Sequence, residues 1–69
     1  MAERILIIED EVDLVNTLEY ALGKEGYEVQ SSLNGTDGLA YANGKPGPDL
    51  VLLDLNLPDM SGLEVCRRI

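Results

Sequence analysis

The stretch LVLLDLNLPDMSG, residues 50–62, decides the fold of this chain. It opens with four apolar residues and stops on the carboxylate Asp54. An earlier apolar run, ILII at residues 5–8, stops in the same way on Glu9 and Asp10. Unbroken aliphatic runs are typical of strands covered by helices on both faces, as in parallel sheets. The sequence therefore predicts two buried strands that each end at acidic side chains.

A helix is predicted between these strands by apolar residues at helical spacing. It should begin at Asp10 or Glu11, because early acids suit the positive end of the helix dipole. Gly26 should end it, in the position just beyond the last turn. The predicted buried face consists of Val12, Val15, Leu18 and Leu22, with Leu14 and Ala21 beside it.

The rest of the chain completes an alternating pattern of strands and helices. Tyr27–Ser31 alternates apolar and polar residues, which is typical of an edge strand. A short helix is predicted from near Thr36 to Asn43. Gly38 within it costs roughly 1 kcal/mol relative to Ala, so we expect this helix to be the loosest element. A last helix is predicted from near Ser61.

The order β-α-β-α-β-α predicts an α/β fold with a three-stranded parallel sheet, because such crossovers are right-handed and join parallel strands. The most apolar strands, the first and third, should be central neighbours, which gives the order 2-1-3. Open α/β sheets bind ligands where the chain reverses direction, outside the carboxyl ends of the strands. Glu9, Asp10 and Asp54 should meet at this point.

Three adjacent carboxylates repel one another unless a cation neutralises them. Mg²⁺ takes oxygen ligands and keeps several waters. We expect Asp10 and Asp54 to bind it directly, Glu9 through water, and the backbone carbonyl of Asn56 to complete the set. Asp54 could also act as a nucleophile toward phosphorus. Taken singly, each acid is better explained as a turn or cap residue; their convergence favours the metal site.

Composition limits the function classes. The chain has 69 residues, enough for one small domain. Its net charge of −8 argues against nucleic-acid binding by this segment and against binding to anionic membranes. The lone Cys66, expected to be half-buried, and an amino terminus (Met1–Arg4) without a leader pattern favour a cytoplasmic location.

The chain resembles the receiver domain of two-component response regulators over its whole length, residues 1–69. The matching segments are residues 5–11, 26–29 and 54–62. The resemblance implies a flavodoxin-like fold in which a histidine kinase supplies a phosphoryl group to Asp54. It also implies Mg²⁺ bound by Glu9 and Asp10, with the Asn56 carbonyl nearby, and a phospho-acceptor rather than an enzyme.

The departure from the family is length. The family's fourth-strand Ser or Thr and fifth-strand Lys, which contact the phosphoryl oxygens, lie beyond Ile69. We therefore expect the N-terminal half of a receiver that is impaired in phosphorylation. Its third strand should present an open edge, which favours pairing with a second copy into a homodimer.

Three alternatives remain open at this point. The chain could be a folding or dimerisation fragment without phosphate chemistry. A nucleotide hydrolase would need a Gly-x-x-x-x-Gly-Lys-Ser/Thr loop, and the segment around Lys45 is not one. A haloacid-dehalogenase-like phosphatase would carry a second Asp two residues after Asp54, where this chain has Asn56.

Overall fold

The computed structural model describes residues 3–69; Met1 and Ala2, used above in judging the amino terminus, lie outside the described residues. Strands and helices alternate along the chain. They are β1 (Arg4–Ile8), α1 (Val12–Lys24), β2 (Glu28–Ser32), α2 (Gly35–Ala42), β3 (Leu50–Leu53) and α3 (Gly62–Arg68). Among the described residues, no helix is both long enough and apolar enough to cross a membrane.

The three strands form one parallel sheet in the order β2-β1-β3. β1 lies in the centre, with Ile5 opposite Val29 on one side and opposite Leu50 on the other. The predicted α/β class, the parallel strand directions and the order 2-1-3 are confirmed. The carboxyl ends of β1 and β3 therefore lie at the same edge of the sheet.

Helices cover both faces of the sheet. α1 packs on one face, where Val15 contacts the core formed by Ile5 and Ile7. α2 and α3 pack on the other face, where Val65 joins Leu6 and Ile8. Ile8 is fully buried, so the strand that carries the acidic pair has little freedom to move.

α1 ends as the sequence predicts, and this ending shifts the next strand. Gly26 has φ of +93°, a conformation that favours glycine, and its N–H donates to the Gly23 carbonyl. The N–H of Tyr27 donates to the Leu22 carbonyl, which completes a Schellman motif. Because Tyr27 belongs to this turn, β2 begins one residue later than predicted, at Glu28.

Three predictions of burial are wrong. Val12 is 51% exposed and Leu14 is also exposed, because α1 packs through Val15 and the half-buried Leu18 and Leu22. β3 is less buried than predicted: Leu50 is 53% exposed and the other residues of the strand are half-buried, although β3 packs against the core on both faces. Cys66 is exposed rather than half-buried.

Gly38 has a packing role that the propensity argument missed. It is buried, and a Cβ at this position would lie 2.6 Å from Cδ1 of Ile8. α2 can therefore approach β1 closely only where the side chain is absent. The prediction that α2 is loose was based on helix propensity alone, which does not include this contact with Ile8.

Gly62 marks an even closer approach, at the first residue of α3. A Cβ there would lie 2.7 Å from Cα of Leu55 and closer still to the carbonyl oxygen of Asp54. Its N–H donates to the Leu55 carbonyl at 2.8 Å. The start of α3 thus rests directly against the backbone that follows β3.

We predict that Gly62→Ala destabilises the protein by roughly 1–3 kcal/mol, because the new methyl group meets backbone atoms that cannot rotate away. Gly23→Ala is the matched control. Gly23 has open space around its Cα, and the substitution should stabilise α1 by about 0.5–1 kcal/mol. Urea unfolding followed by circular dichroism measures both. Equal stability of Gly62→Ala and the unchanged protein would contradict the prediction.

Candidate metal centre

Backbone hydrogen bonds fix the ends of the strands that carry the acids. The N–H of Asp54 donates to the carbonyl of Ile8 at 2.9 Å, which ties the end of β3 to the end of β1. The N–H of Glu9 donates to the carbonyl of Ser32 at 3.0 Å, which ties the same point to β2. The sheet therefore sets the positions of Glu9 and Asp54 before any side-chain interaction is considered.

The three predicted acids lie together. Glu9, Asp10 and Asp54 each offer a carboxylate oxygen, and these oxygens all lie within 4.8 Å of one another. Glu9 and Asp54 are half-buried and Asp10 is exposed. The cluster is therefore open to solvent on the Asp10 side.

The donor set and its dimensions fit a hard divalent cation. Opposite ligands of an octahedral Mg²⁺ are about 4.2 Å apart, since each metal–oxygen distance is about 2.1 Å. Separations up to 4.8 Å suit direct binding by part of the cluster and binding through water by the rest. Solvent access on the Asp10 side leaves room for the waters that Mg²⁺ retains.

The pKa of Glu9 is raised by burial first and by neighbouring negative charge second. Burial raises the pKa of Glu9 above its usual range, and the neighbouring Asp54 and Asp10 charges raise it further. The N–H of Glu11, which donates to the Glu9 carboxylate at 3.2 Å, acts in the opposite direction. The net effect disfavours the ionised carboxylate, so the folded cluster stores repulsion that a cation would relieve.

No cationic side chain relieves this repulsion within residues 3–69. The ion pairs in this part of the chain join Arg4 to Glu28 and both Arg67 and Arg68 to Glu64. Lys24 ends α1, which places it at the opposite end of the sheet from the cluster.

Clefts lie at both ends of the sheet. One lies beside the cluster, where Leu18 and Leu52 form an apolar wall next to Glu9 and Asp54. The other lies at the opposite end of the sheet, near Tyr41. The second cleft is remote from the acids.

The loop after Asp54 is closed by its own backbone. The N–H of Asn56 donates to the Asp54 carboxylate at 3.3 Å, and Asn56 forms an isolated antiparallel bridge with Ser61. The Ser61 hydroxyl oxygen accepts from the N–H of Glu64 at 3.2 Å and caps α3. The N–H of Asn56 thus lies beside the Asp54 carboxylate, and the pattern Ser-x-x-Glu at residues 61–64 is typical of the cap.

One residue of this loop was given no role in the sequence analysis. The carboxylate of Asp59 accepts hydrogen bonds from the N–H of Gly35 at 2.7 Å, the N–H of Thr36 at 2.9 Å and the Thr36 hydroxyl at 2.6 Å. These donors lie 23 and 24 residues away, so no local pattern could reveal the contact. They hold the pKa of Asp59 at about 2.

The comparison with protein families agrees with this geometry. Residues 5–69 match the family model described as "Response regulator receiver domain". The chain belongs to this family. The three-stranded sheet in the order 2-1-3 with its three helices is a truncated form of the flavodoxin-like receiver fold.

Solved receiver structures are similar over almost all of this chain. TrrA from Thermotoga maritima, crystallised in complex with Mg²⁺-BeF, is 40% identical with a TM-score of 0.87, covering 97% of this chain and 57% of its own. A putative response regulator from Chloroflexus aurantiacus is 31% identical with a TM-score of 0.91, covering 99% and 55%. A receiver domain protein from Methanospirillum hungatei is 36% identical with a TM-score of 0.87, covering 94% and 51%. The chain spans little more than half of each.

We predict that Glu9→Gln stabilises the metal-free receiver at pH 7. The folded pKa of Glu9 lies above its ordinary value of 4.5, so the stabilisation from its protonated form is complete below pH 4.5 and is lost as pH rises through the folded pKa. The glutamine amide does not ionise. Its stabilising effect relative to Glu9 should therefore disappear below pH 4.5, where Glu9 is itself protonated and neutral.

Urea unfolding in the presence of a chelator, at pH 4 and pH 7, measures this difference. Glu25→Gln, which removes one charge beyond the far end of α1, is the control for net charge. A Glu9→Gln protein less stable than the unchanged chain at pH 7 would show that the cluster is not strained by repulsion.

Proposed function

We propose that the chain is the phospho-acceptor part of a response regulator, in which Asp54 takes a phosphoryl group from a histidine kinase with Mg²⁺ bound at Glu9, Asp10 and Asp54. The observation that carries this proposal is the convergence of the three carboxylates within 4.8 Å at the carboxyl edge of a receiver-type sheet. The TrrA structure, a complex with Mg²⁺-BeF, supports the choice of metal. The exposed lone cysteine is compatible with a reducing cytoplasm, which we include in the proposal.

Each residue has a distinct role in this proposal. Asp54 is the nucleophile, and the sheet hydrogen bond to Ile8 holds its backbone in place. Glu9 and Asp10 supply the remaining carboxylates, while the backbone carbonyl of Asn56 is the proposed neutral ligand. Mg²⁺, when bound, would offset the negative charge of the arriving phosphoryl group.

Phosphorylation of these 69 residues by themselves should be weak. The ion pairs of residues 3–69 leave the acidic cluster without a cation. A phosphoryl group bound to Asp54 would therefore lack a lysine contact from this part of the receiver. We propose that the chain retains Mg²⁺ binding but forms little stable acyl-phosphate.

We predict that Mg²⁺ raises the unfolding free energy of the unchanged chain by about 2.7 kcal/mol at a concentration 100 times its dissociation constant. Asp54→Ala should lose most of this gain, because it removes a direct ligand. Thermal unfolding with increasing Mg²⁺ measures the shift.

Intact mass after treatment with a small phosphodonor should then show only a minor phosphorylated fraction, present in the unchanged chain and missing in Asp54→Ala.

Each result bears on a different part of the proposal. Mg²⁺ stabilisation that persists in Asp54→Ala would contradict the metal site and favour a folding or dimerisation fragment without phosphate chemistry. Stoichiometric acyl-phosphate on the unchanged chain would contradict the proposed impairment.

We also propose that this chain forms a homodimer through β3. Among the described strands, β3 has β1 as its one neighbour, so its other edge presents unpaired backbone groups. Leu50 on this strand is 53% exposed. Antiparallel pairing of two β3 strands about a two-fold axis would cover both features.

We predict that Leu50→Lys weakens the dimer about tenfold, because a lysine on an edge strand opposes pairing. Tyr20→Lys is the matched control. It introduces the same charge at a 70% exposed position on α1, away from β3. Light scattering over a dilution series measures both. A monomer at all concentrations for the unchanged chain would end the dimer proposal.

A further inference from the structure

We propose that Asp59 is a positioning residue for the metal centre: by anchoring the 54–62 loop to the start of α2, it holds the Asn56 backbone beside the acidic cluster. This inference rests on the Mg²⁺ site proposed above. It assigns a metal-binding effect to a side chain that does not belong to the cluster of Glu9, Asp10 and Asp54.

The anchor is made by one carboxylate and one helix terminus. Asp59 accepts hydrogen bonds from Gly35 and Thr36 at 2.6–2.9 Å, and its lowered pKa reflects the same contacts. The N–H groups are among those that an α-helix leaves unpaired at its first turn, where negative charge is favoured. The first turn of α2 therefore holds N–H donors at fixed positions that complement the negative charge of Asp59.

α2 does not depend on Asp59 alone for its cap. Asn34 is the N-cap residue, and its side-chain oxygen accepts from the N–H of Asp37 at 2.8 Å. The helix begins with two independent capping carboxyl or amide groups, one local and one from the loop. The two groups accept from different N–H groups of the first turn, and the distinctive effect of Asp59 is to connect α2 to the segment that follows Asp54.

The connection runs through a closed loop. Asp59 lies between Asn56 and Ser61, which are bridged to each other, and Gly62 donates to the Leu55 carbonyl. Met60 packs at the start of α2, since a Cβ on Gly35 would lie 2.5 Å from its Cγ. A loop fixed at its tip by Asp59 and at its base by these backbone bonds has little freedom to shift Asn56.

Loss of this anchor should loosen the carbonyl of Asn56 relative to the carboxylates. Partners that orient metal ligands typically contribute ten- to a hundredfold to metal affinity. Because Asp59 is exposed, we expect about tenfold weaker Mg²⁺ binding in Asp59→Ala, at the lower end of this range. Asp59→Asn keeps one acceptor oxygen, so its loss should be smaller.

The experiment compares Mg²⁺ dissociation constants from amide NMR titrations at a temperature where every variant is folded. Asn34→Ala is the matched control, because it removes the local cap of the same helix without touching the loop. It should bind Mg²⁺ as the unchanged chain does. In the metal-free protein, hydrogen exchange at residues 56–61 should be faster in Asp59→Ala than in Asn34→Ala.

The outcomes separate this inference from the proposed function. Weaker Mg²⁺ binding in both Asp59 variants with unchanged binding in Asn34→Ala supports the positioning role. Equal affinities in all four proteins, or equal losses in Asn34→Ala and Asp59→Ala, overturn it while leaving the metal site intact. If the unchanged chain does not bind Mg²⁺ at its carboxylates, the proposed function fails and this inference fails with it. Should Asp59→Ala not fold, Asp59→Asn against Asn34→Ala decides the question.

Discussion

The hydrogen bond from Asp54 to the carbonyl of Ile8 is the constraint on which the rest of the structure depends. At 2.9 Å it continues the β1–β3 register by one residue beyond the last pair, Ile8 and Leu53. Since the next residue after Ile8 is Glu9, this single register brings an acid from each strand to the same place. A shift of one residue would turn Asp54 toward the opposite face of the sheet.

The register is itself enforced by burial. Ile8 and Leu6 face α2 and α3, while Ile5 and Ile7 face α1, and all four are buried. Because both faces of β1 are covered, any slip would expose some of these side chains and bury others against the wrong helix. The repulsion among the carboxylates is thus tolerated because the strands that carry them are held by hydrophobic packing.

Much of this arrangement could be predicted from the sequence. The unbroken apolar runs gave the bounds of β1 and β3, and the acids after them predicted a cluster that the structure contains. These successes depend on local pattern and on the handedness of strand–helix–strand units. The residue types of Glu9, Asp10 and Asp54 also predict Mg²⁺ binding at this cluster, which stays a prediction.

Several of the failures share one cause, which is contact between distant segments. The role of Asp59 depends on Thr36, and the packing of Gly38 depends on Ile8, neither of which has a local signature. The exposure of Leu50 is a further failure, because periodicity within the strand does not report it. Propensity arguments are therefore weakest where elements meet.

The close approach at Gly38 and Gly62 gives the two faces of the sheet different tolerance to sequence drift. On the α2 and α3 face, Gly38 and Gly62 meet strand and loop at distances that admit no side chain, so variation at these two positions is limited to glycine. On the α1 face, side chains such as Val15 and Leu22 lie between helix and strand. A smaller residue at one of these positions can be compensated by a larger one at another. Divergence among related chains should accumulate on the α1 side.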